Sequence, residues 1–559
     1  MFEMNMKIIN DSLNVNLYHS NKEKTNSVEF NKVRLTVNHG KPPKKSYQAY
    51  EKIISLNKLI KNKFKTNRSI HDIYDYQRNL IDAAILALNK MGEDSSILIS
   101  LSNQLDASKF KENRAATDKE IEIAKQLRNN LVNLISKSFL RNKHSSFEAK
   151  KLANITFKEA LIDHLNNKNW RTIKNNIIYA GKIYLSKQQP ASKMKLGKDD
   201  IFPISYSDKG ICSSSTKETY HATNLWKSSI SIKENGINKT LFEGIRHGVL
   251  SPYELPENSY ERTLGARNRG REVVTAALFS QPHILDKALK GEPVKLRLVS
   301  TSLLTNSKIG NEKKMLRDQI KVWEALSNQQ IMTLKIRDKQ GQIQNVKVNL
   351  EVSAFNFGVN ELALKFGLGN SASDFYNSIA MQKLLGDDLE PNSTPGGWVG
   401  EYLKGNPDNV DKVLELSKQI KTIWKNKWHH VDEGEPYKAS KRIAMLAYEI
   451  KAVPCWNCKS GKDRTGMLDS EIKQEVISYN QRIKLSKPGS PYGGINNELM
   501  KEVFTKSGNQ EIQYCNTGAK GNKVIKNIPL SFLNLSYEKR IDDKNVLNSL
   551  KGLSSLFKG

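Results

Sequence analysis

The sequence predicts an α+β protein: an N-terminal helical module, then a larger mixed α/β region built around a strand, a C-x5-R loop and a helix in succession. Three observations carry that reading. Apolar residues recur at three- and four-residue spacing from about 48 to 165, short alternating runs enter beyond about 170, and Cys458 and Arg464 are separated by five residues between a strand-like and a helical segment.

Residues 1–45 are rich in Asn, Lys and Ser with only scattered apolar positions, a composition that cannot bury enough surface to order itself, and they read as a flexible leader. The helical module is assigned to 46–170. Ile70, Ile73, Tyr74, Leu80, Ile81, Ala84, Ile85 and Leu88 fall largely on one helical face. A second helix starts at the capping-box pattern Thr117-Asp-Lys-Glu120 and carries Ala124, Leu127, Leu131, Leu134 and Ile135 along one stripe. Such stripes are first of all core seams, although a module of this size is also suited to binding a protein partner. In the region assigned to 171–559, Leu296-Arg-Leu-Val-Ser300 reads as a strand. Leu334–Arg337 and Val346–Leu350 alternate around Asp338-Lys-Gln-Gly341, a hairpin pattern. Helical periodicity returns between about 409 and 450; Ala452-Val-Pro-Cys-Trp-Asn457 then reads as a strand and Gly466–Ile477 as a helix.

Lys and Arg number 88 against 58 Asp and Glu, a net charge of +30 over 559 residues. Such an excess suits an anionic partner: nucleic acid, an acidic membrane leaflet or a multiply phosphorylated small molecule. Coding bias toward Lys, Asn and Ile explains part of it equally well, and no aromatic-interleaved basic motif supports nucleic acid. Four cysteines, Cys212, Cys455, Cys458 and Cys515, make no disulfide framework and favour a reducing compartment. Met1–Lys7 opens no apolar run of the Sec-signal kind, and Ala83–Leu88 and Val273–Phe279 are far shorter than the ~20 residues that span a bilayer, so the expectation is a soluble or peripheral protein.

Cys458-Lys-Ser-Gly-Lys-Asp-Arg464-Thr465 carries the chemistry. A loop from a strand's end to a helix's start turns its backbone N–H groups inward, and the helix dipole adds positive potential, which makes an anion cradle. There the dipole, Lys459, Lys462 and Arg464 favour Cys458 as thiolate, a nucleophile for phosphorus. Arg464 can hold two phosphoryl oxygens at once, and Gly461 lets the backbone turn tightly. Ser460 lines the same cradle. Lys459 and Lys462 exceed what a monophosphorylated side chain requires and point to a polyphosphorylated ring, while the Thr465 hydroxyl can position Cys458 or the leaving group. The general acid stays open between Asp463, inside the loop, and Asp432, on a Gly/Pro-containing loop; an ordinary solvated carboxylate is the alternative for both. Chance is the competing account of a bare C-x5-R. Cys455-Trp-Asn-Cys458 is also a C-x-x-C, which admits a redox pair, or half a zinc site completed by His429 and His430.

At these residues the chain resembles a known family, the SopB/SigD/IpgD inositol phosphate (phosphoinositide) phosphatases that bacteria deliver into host cells by type III secretion. Cys458–Met467 is similar to that family's active-site motif, and Phe355-Asn-Phe-Gly-Val-Asn-Glu-Leu-Ala-Leu-Lys365 resembles its second signature. Gly244-Ile-Arg-His-Gly-Val249, Gly396–Gly400, Gly434-Glu-Pro-Tyr-Lys438 and Asn522–Lys526 are similar too, so that the resemblance spans about 150–559. It implies a cysteine-phosphatase region with Cys458 as nucleophile and Arg464 as phosphate ligand, using neither metal nor cofactor. Phosphatidylinositol 4,5-bisphosphate would be the main lipid substrate, with other phosphoinositides of host membranes and soluble inositol polyphosphates beside it, and host membrane and actin signalling the target. Lys523 and Lys526 would belong to a basic segment that binds a ring phosphate or the membrane, solvated surface lysines being the alternative. The module 46–170 would bind a host Rho-family GTPase and the leader a secretion chaperone. Chiefly a GTPase-binding scaffold is the alternative function.

Overall fold

A computed structural model describes residues 69–109, 114–234, 236–306, 311–359, 369–433, 435–490 and 497–522, with Val546 and Leu550. The leader 1–45, Lys523 and Lys526 lie outside the described residues.

Four helices come first: α1 (Ile70–Lys90), α2 (Ser96–Lys109), α3 (Asp118–Arg141) and α4 (Ser146–Asn166). Their apolar stripes meet in one core that includes Ile73, Leu80, Ala84, Leu127, Leu131, Ile135 and Phe157. The capping box at α3 is formed: the Glu120 amide donates to Thr117 Oγ1 at 3.3 Å and the Thr117 amide to the Glu120 carboxylate at 2.7 Å. Ser145 and Glu148 repeat it at α4. The far end of the chain closes the bundle, because Ala519 joins its core and Asn79 Nδ2 donates to the Gly518 carbonyl at 3.0 Å.

An eight-stranded mixed sheet follows. Its strands are β1 (Ile173–Tyr179), β2 (Lys182–Pro190), β3 (Trp226–Glu234), β4 (Ile237–His247), β5 (Val294–Ser302), β6 (Met332–Arg337), β7 (Ile343–Asn356) and β8 (Val453–Asn457), in the spatial order β1-β2-β3-β4-β8-β5-β7-β6. β4, β8, β5 and β7 run parallel, whereas β1–β4 form an antiparallel meander and β6 pairs antiparallel with β7. The β6–β7 turn is the expected one, with Asp338 Oδ1 accepting from the amides of Gln340 and Gln342. β8 is buried along its whole length, which suits a central strand covered on both faces.

Helices cover both faces. α5 (Tyr260–Phe279), α6 (Pro282–Leu289) and α7 (Glu312–Ser327) pack on one, over a core that includes Ile245, Leu298 and Cys455. α8 (Asn370–Leu385), α9 (Gly397–Leu403), α10 (Val410–Lys425), α11 (Lys438–Glu449), α12 (Asp463–Asn480) and α13 (Asn497–Lys506) pack on the other, over a core that includes Trp456 and Cys458. The helical stretch read between 409 and 450 is two helices, α10 and α11, broken by the loop that carries His429, His430 and Asp432. A last helix, α14 (Asn509–Thr517), sits where the bundle meets the sheet, near the stacked rings of Trp170 and Trp226 at 5.0 Å. No described helix is long and apolar enough to cross a membrane.

Truncating the seam of α3 tests this packing. Leu131→Ala is expected to destabilise the protein by about 2–5 kcal/mol, while Lys125→Ala on the outer face stays within about 0.5 kcal/mol, both read from urea unfolding followed by circular dichroism.

Candidate active site

β8 ends at Asn457 between β4 and β5, so the loop after it opens at the carboxyl ends of parallel strands, where open α/β sheets place their ligands. The loop runs from Cys458 to Lys462, and α12 begins at Asp463.

What shapes the loop is how its carbonyls are held. The Cys458 carbonyl accepts from the Gly461 amide at 3.3 Å, that of Lys459 from the Val249 amide at 3.2 Å, and that of Lys462 from the Gly466 amide at 2.7 Å. Asn224 Nδ2 donates to the Ser460 carbonyl at 3.1 Å and Arg246 to the Gly461 carbonyl at 3.2 Å. With all five carbonyls engaged by the loop or its surroundings, the amides of Lys459, Ser460, Lys462 and Arg464 donate to no backbone acceptor among the described residues. That is the arrangement of an anion-binding nest at a helix N-terminus. Gly461 has φ +64°, and a Cβ there would lie 2.6 Å from the His247 carbonyl oxygen and 2.7 Å from the Gly248 nitrogen, so only glycine fits.

Arg246 is fully buried, and burial lowers its pKa. Asp469 on α12 answers its charge at 3.7 Å, and Asn509 Oδ1 accepts a further bond. Asp469 is in turn surrounded by donors: Gln188 Nε2 at 2.8 Å, Lys473 Nζ at 3.0 Å, Asn509 Nδ2 at 3.2 Å and the Ser228 hydroxyl. Burial would raise the Asp469 pKa, but Lys473, Arg246 and these bonds hold it below the usual carboxylate value.

Burial also pushes the Cys458 thiol up, yet the Arg464 guanidinium and the hydroxyl and amide of Thr465 outweigh it and hold the thiol below its ordinary value. Arg464 itself is clamped. Both its terminal nitrogens bond the Glu312 carboxylate, at the first position of α7, and Nη1 donates to the Leu303 carbonyl at 2.8 Å. Glu312 also accepts from the Thr305 amide at 2.8 Å. Burial would raise the Glu312 pKa; Arg464 and Thr305 hold it below the usual value.

The other sequence-derived residues fall as follows. Lys459 lies over the Tyr253 ring at 4.6 Å, and Ser460 and Lys462 are half-buried in the same loop. Asp463 is half-buried in the first turn of α12, where Gln513 Nε2 donates to it at 3.0 Å. Asp432 is not a solvated carboxylate: it is fully buried, paired with Lys438 at 3.1 Å and bonded by the Gly489 amide at 2.9 Å. The C-x-x-C does not form a unit. Cys455 packs in the core on one face of the sheet and Cys458 in that on the other, and burial pushes the Cys455 thiol up to about 12. His429 and His430 converge on Asp374, their Nε2 atoms 2.7 and 2.8 Å from one carboxylate oxygen, rather than on the cysteines.

Sequence reasoning missed Asn224, Arg246, Glu312, Asp469 and Gln513. Arg246 sits within a stretch noted above as family-like; Glu312 carries no local signal at all.

Four outcomes follow from the geometry. Gly461→Ala is expected to abolish phosphate binding, read by calorimetry. Asp469→Asn leaves Arg246 and Lys473 short of a counter-charge and is expected to cost about 3–5 kcal/mol at neutral pH. Asp469 and Glu312 have folded pKa values below the unfolded ones, so their stabilisation is present above about pH 4 and is lost as pH falls through the folded values; the thermal midpoint is expected to drop across that window. Alkylation of Cys458 by iodoacetamide is expected to titrate with a midpoint below that of a free thiol, and to move upward in Arg464→Ala.

Comparison with known proteins agrees with this architecture. The family model described as Enterobacterial virulence protein IpgD matches residues 12–557, well into the segment where the motifs alone are silent. The protein named Inositol phosphate phosphatase SopB from Salmonella typhimurium is 48% identical over 537 residues, covering 94% of this chain and 95% of that one. Inositol phosphate phosphatase IpgD from Shigella flexneri is 42% identical over 483 residues, covering 86% and 87%. Among solved structures, a Legionella phosphoinositide phosphatase superposes with a TM-score of 0.57 at 11% identity, over 82% of this chain and 88% of that one, a likeness of fold. With a family match over nearly its whole length, the chain belongs to the IpgD family of enterobacterial virulence proteins.

Proposed function

We propose that the protein hydrolyses phosphate monoesters of inositol, both soluble inositol polyphosphates and the headgroups of membrane phosphoinositides, with phosphatidylinositol 4,5-bisphosphate foremost. The observation that carries this reading is a loop whose carbonyls are all engaged, enclosing a thiol of lowered pKa beside a guanidinium. The printed names of relatives at 48% and 42% identity support the substrate class.

In the proposed reaction Cys458 Sγ attacks phosphorus, an S–P bond forms and the P–O bond to the inositol ring breaks. The departing alkoxide takes a proton from Asp463, which is preferred to Asp432 because Asp432 is tied to Lys438 and the Gly489 amide. Water then attacks phosphorus and gives a proton to the Asp463 carboxylate as the S–P bond breaks, and phosphate leaves with the thiolate and the protonated Asp463 restored. Arg464, Ser460, Thr465 and the loop amides bind the transferred group, and Lys459 and Lys462 bind neighbouring ring phosphates.

Membership in a virulence family supports delivery into host cells, for which we assign residues 1–45 to secretion and chaperone binding. The module 46–170 is assigned to a host Rho-family GTPase, with Phe147, Ile155 and Leu140 exposed on its surface.

Phosphate release from a panel of phosphoinositides and inositol polyphosphates, with products resolved by position, tests the proposal. Wild type is expected to turn over several members, Cys458→Ser none, and Arg464→Lys roughly 10²–10³-fold less. Undiminished release by Cys458→Ser would exclude the cysteine mechanism.

A further inference from the structure

Asp374 on α8 meets His429 and His430, which lie 55 and 56 residues further along the chain on the loop between α10 and α11. Both Nε2 atoms point at one carboxylate oxygen, Oδ1, from 2.7 and 2.8 Å. Each of the three side chains offers one ligand atom, and these atoms all lie within 4.8 Å of one another; among the described residues no other group of three His, Cys, Asp or Glu side chains is placed in this way.

The surroundings are apolar. The His429 ring lies 4.6 Å from that of Trp424 and 4.4 Å from that of His430, and the Phe357 ring stands edge-on to both histidines at 6.4 and 6.5 Å. Only 4% of His429 is exposed, and its Nδ1 has no hydrogen-bond partner among the described residues, so the polar capacity of this ring is directed wholly at Asp374. Two imidazoles and a carboxylate inside a hydrophobic shell are the ingredients of a transition-metal centre, because the shell limits solvent access and strengthens each bond to the ion. Burial and the neighbouring His430 lower the His429 pKa and keep that ring neutral, the form with a lone pair to give. One side stays open: 37% of the Asp374 side chain is exposed, which gives an ion its way in and water a place to complete the coordination.

We propose that Asp374, His429 and His430 form a binding site for a divalent transition-metal ion, with the nitrogen and oxygen donors that suit Zn2+, and that the ion pins α8 to the loop between α10 and α11. Bonds of about 2.0–2.2 Å set the ligands of a tetrahedral ion about 3.4 Å apart, so each N···O separation has to widen by about 0.6 Å, a small side-chain rotation. The ion has no part in the reaction proposed above. It acts on support: Phe357, against which both histidines pack, lies two residues before Val359, whose carbonyl accepts from Arg464 Nη1 at 3.4 Å.

Metal titration of the full chain, stripped beforehand with a chelator, tests the site independently of the phosphatase reading. Wild type is expected to bind one Co2+ with visible bands of nitrogen and oxygen ligation and no thiolate charge-transfer band, to exchange it for Zn2+, and to melt at a higher temperature with Zn2+ present. Asp374→Asn keeps an oxygen acceptor for both histidines while removing the carboxylate, so its metal-free midpoint is expected to stay near that of wild type. In Asp374→Asn and in His430→Ala affinity is expected to fall by more than about 100-fold, beyond the 10- to 100-fold that loss of a supporting group costs, and the Zn2+-dependent rise in midpoint to disappear. Cys458→Ser is expected to leave the cobalt spectrum unchanged. Absence of binding, binding that survives both substitutions, or a spectrum dominated by thiolate charge transfer and lost in Cys458→Ser would overturn the proposal.

Discussion

Arg246 is the buried charge on which the site is hung. Bringing a guanidinium out of water costs several kcal/mol unless its charge is answered and its hydrogens are bonded; Asp469 answers the charge and Asn509 accepts from Nη1, while Nε has no partner among the described residues. Asp469 also accepts from Asn509 itself, from Ser228 on β3, Gln188 on β2 and Lys473 on α12. One ion pair therefore fixes the meander, the central strands, α12 and α14 against each other. Its remaining bond goes to the Gly461 carbonyl, at the point where the loop crosses the end of β4. The stability of the fold and the outward turn of the loop thus depend on the same residue.

A loop held from behind differs from one held by its own side chains. The donors on the carbonyls of Lys459, Ser460 and Gly461 come from outside the loop: Val249, Asn224 and Arg246. The inward amides need no reorganisation when an anion arrives, the condition under which fixed dipoles are most effective. Asn224 extends the support further, since Asn516 on α14 donates to it at 2.7 Å and accepts from the Ser213 amide. Asn166, at the end of α4, accepts from the neighbouring Cys212 amide at 2.7 Å. A continuous set of hydrogen bonds therefore leads from the helical bundle to the loop's edge.

How much of this was legible follows from where the signals lie. The β6–β7 hairpin, the Thr117 capping box and the strand before Cys458 are local patterns, and each forms as the spacing indicates. β1–β4 left no comparable trace, although β2 and β3 alternate buried and less buried residues along their lengths. The reason is chemical: the buried positions of β2 include Ser186 and Gln188, and β3 buries Ser228, polar residues turned inward to serve Asp469 and Lys473. Hydrophobic alternation is lost where the sheet supports the site. Glu312 was invisible for another reason, because it lies 152 residues from Arg464 and only the fold brings the two together.

On the proposed function, the resting state of Lys459 bears on substrate choice. Its ammonium lies over the Tyr253 ring, an interaction worth about 0.5–1 kcal/mol near a surface. A substrate with a single phosphate, bound by the loop amides and Arg464, leaves that contact undisturbed and gains nothing from it. A neighbouring phosphate on the same ring offers Lys459 a charge-assisted hydrogen bond of about 1.5–3 kcal/mol, enough to draw the ammonium off the ring with a surplus. The cation–π contact then sets a threshold: the lysine is held ready, in a defined place, and moves only for an anion that repays the exchange. On the proposed reading, discrimination between a bisphosphorylated and a monophosphorylated ring comes from the difference between these two energies, while the transferred phosphate is held in the same way in both.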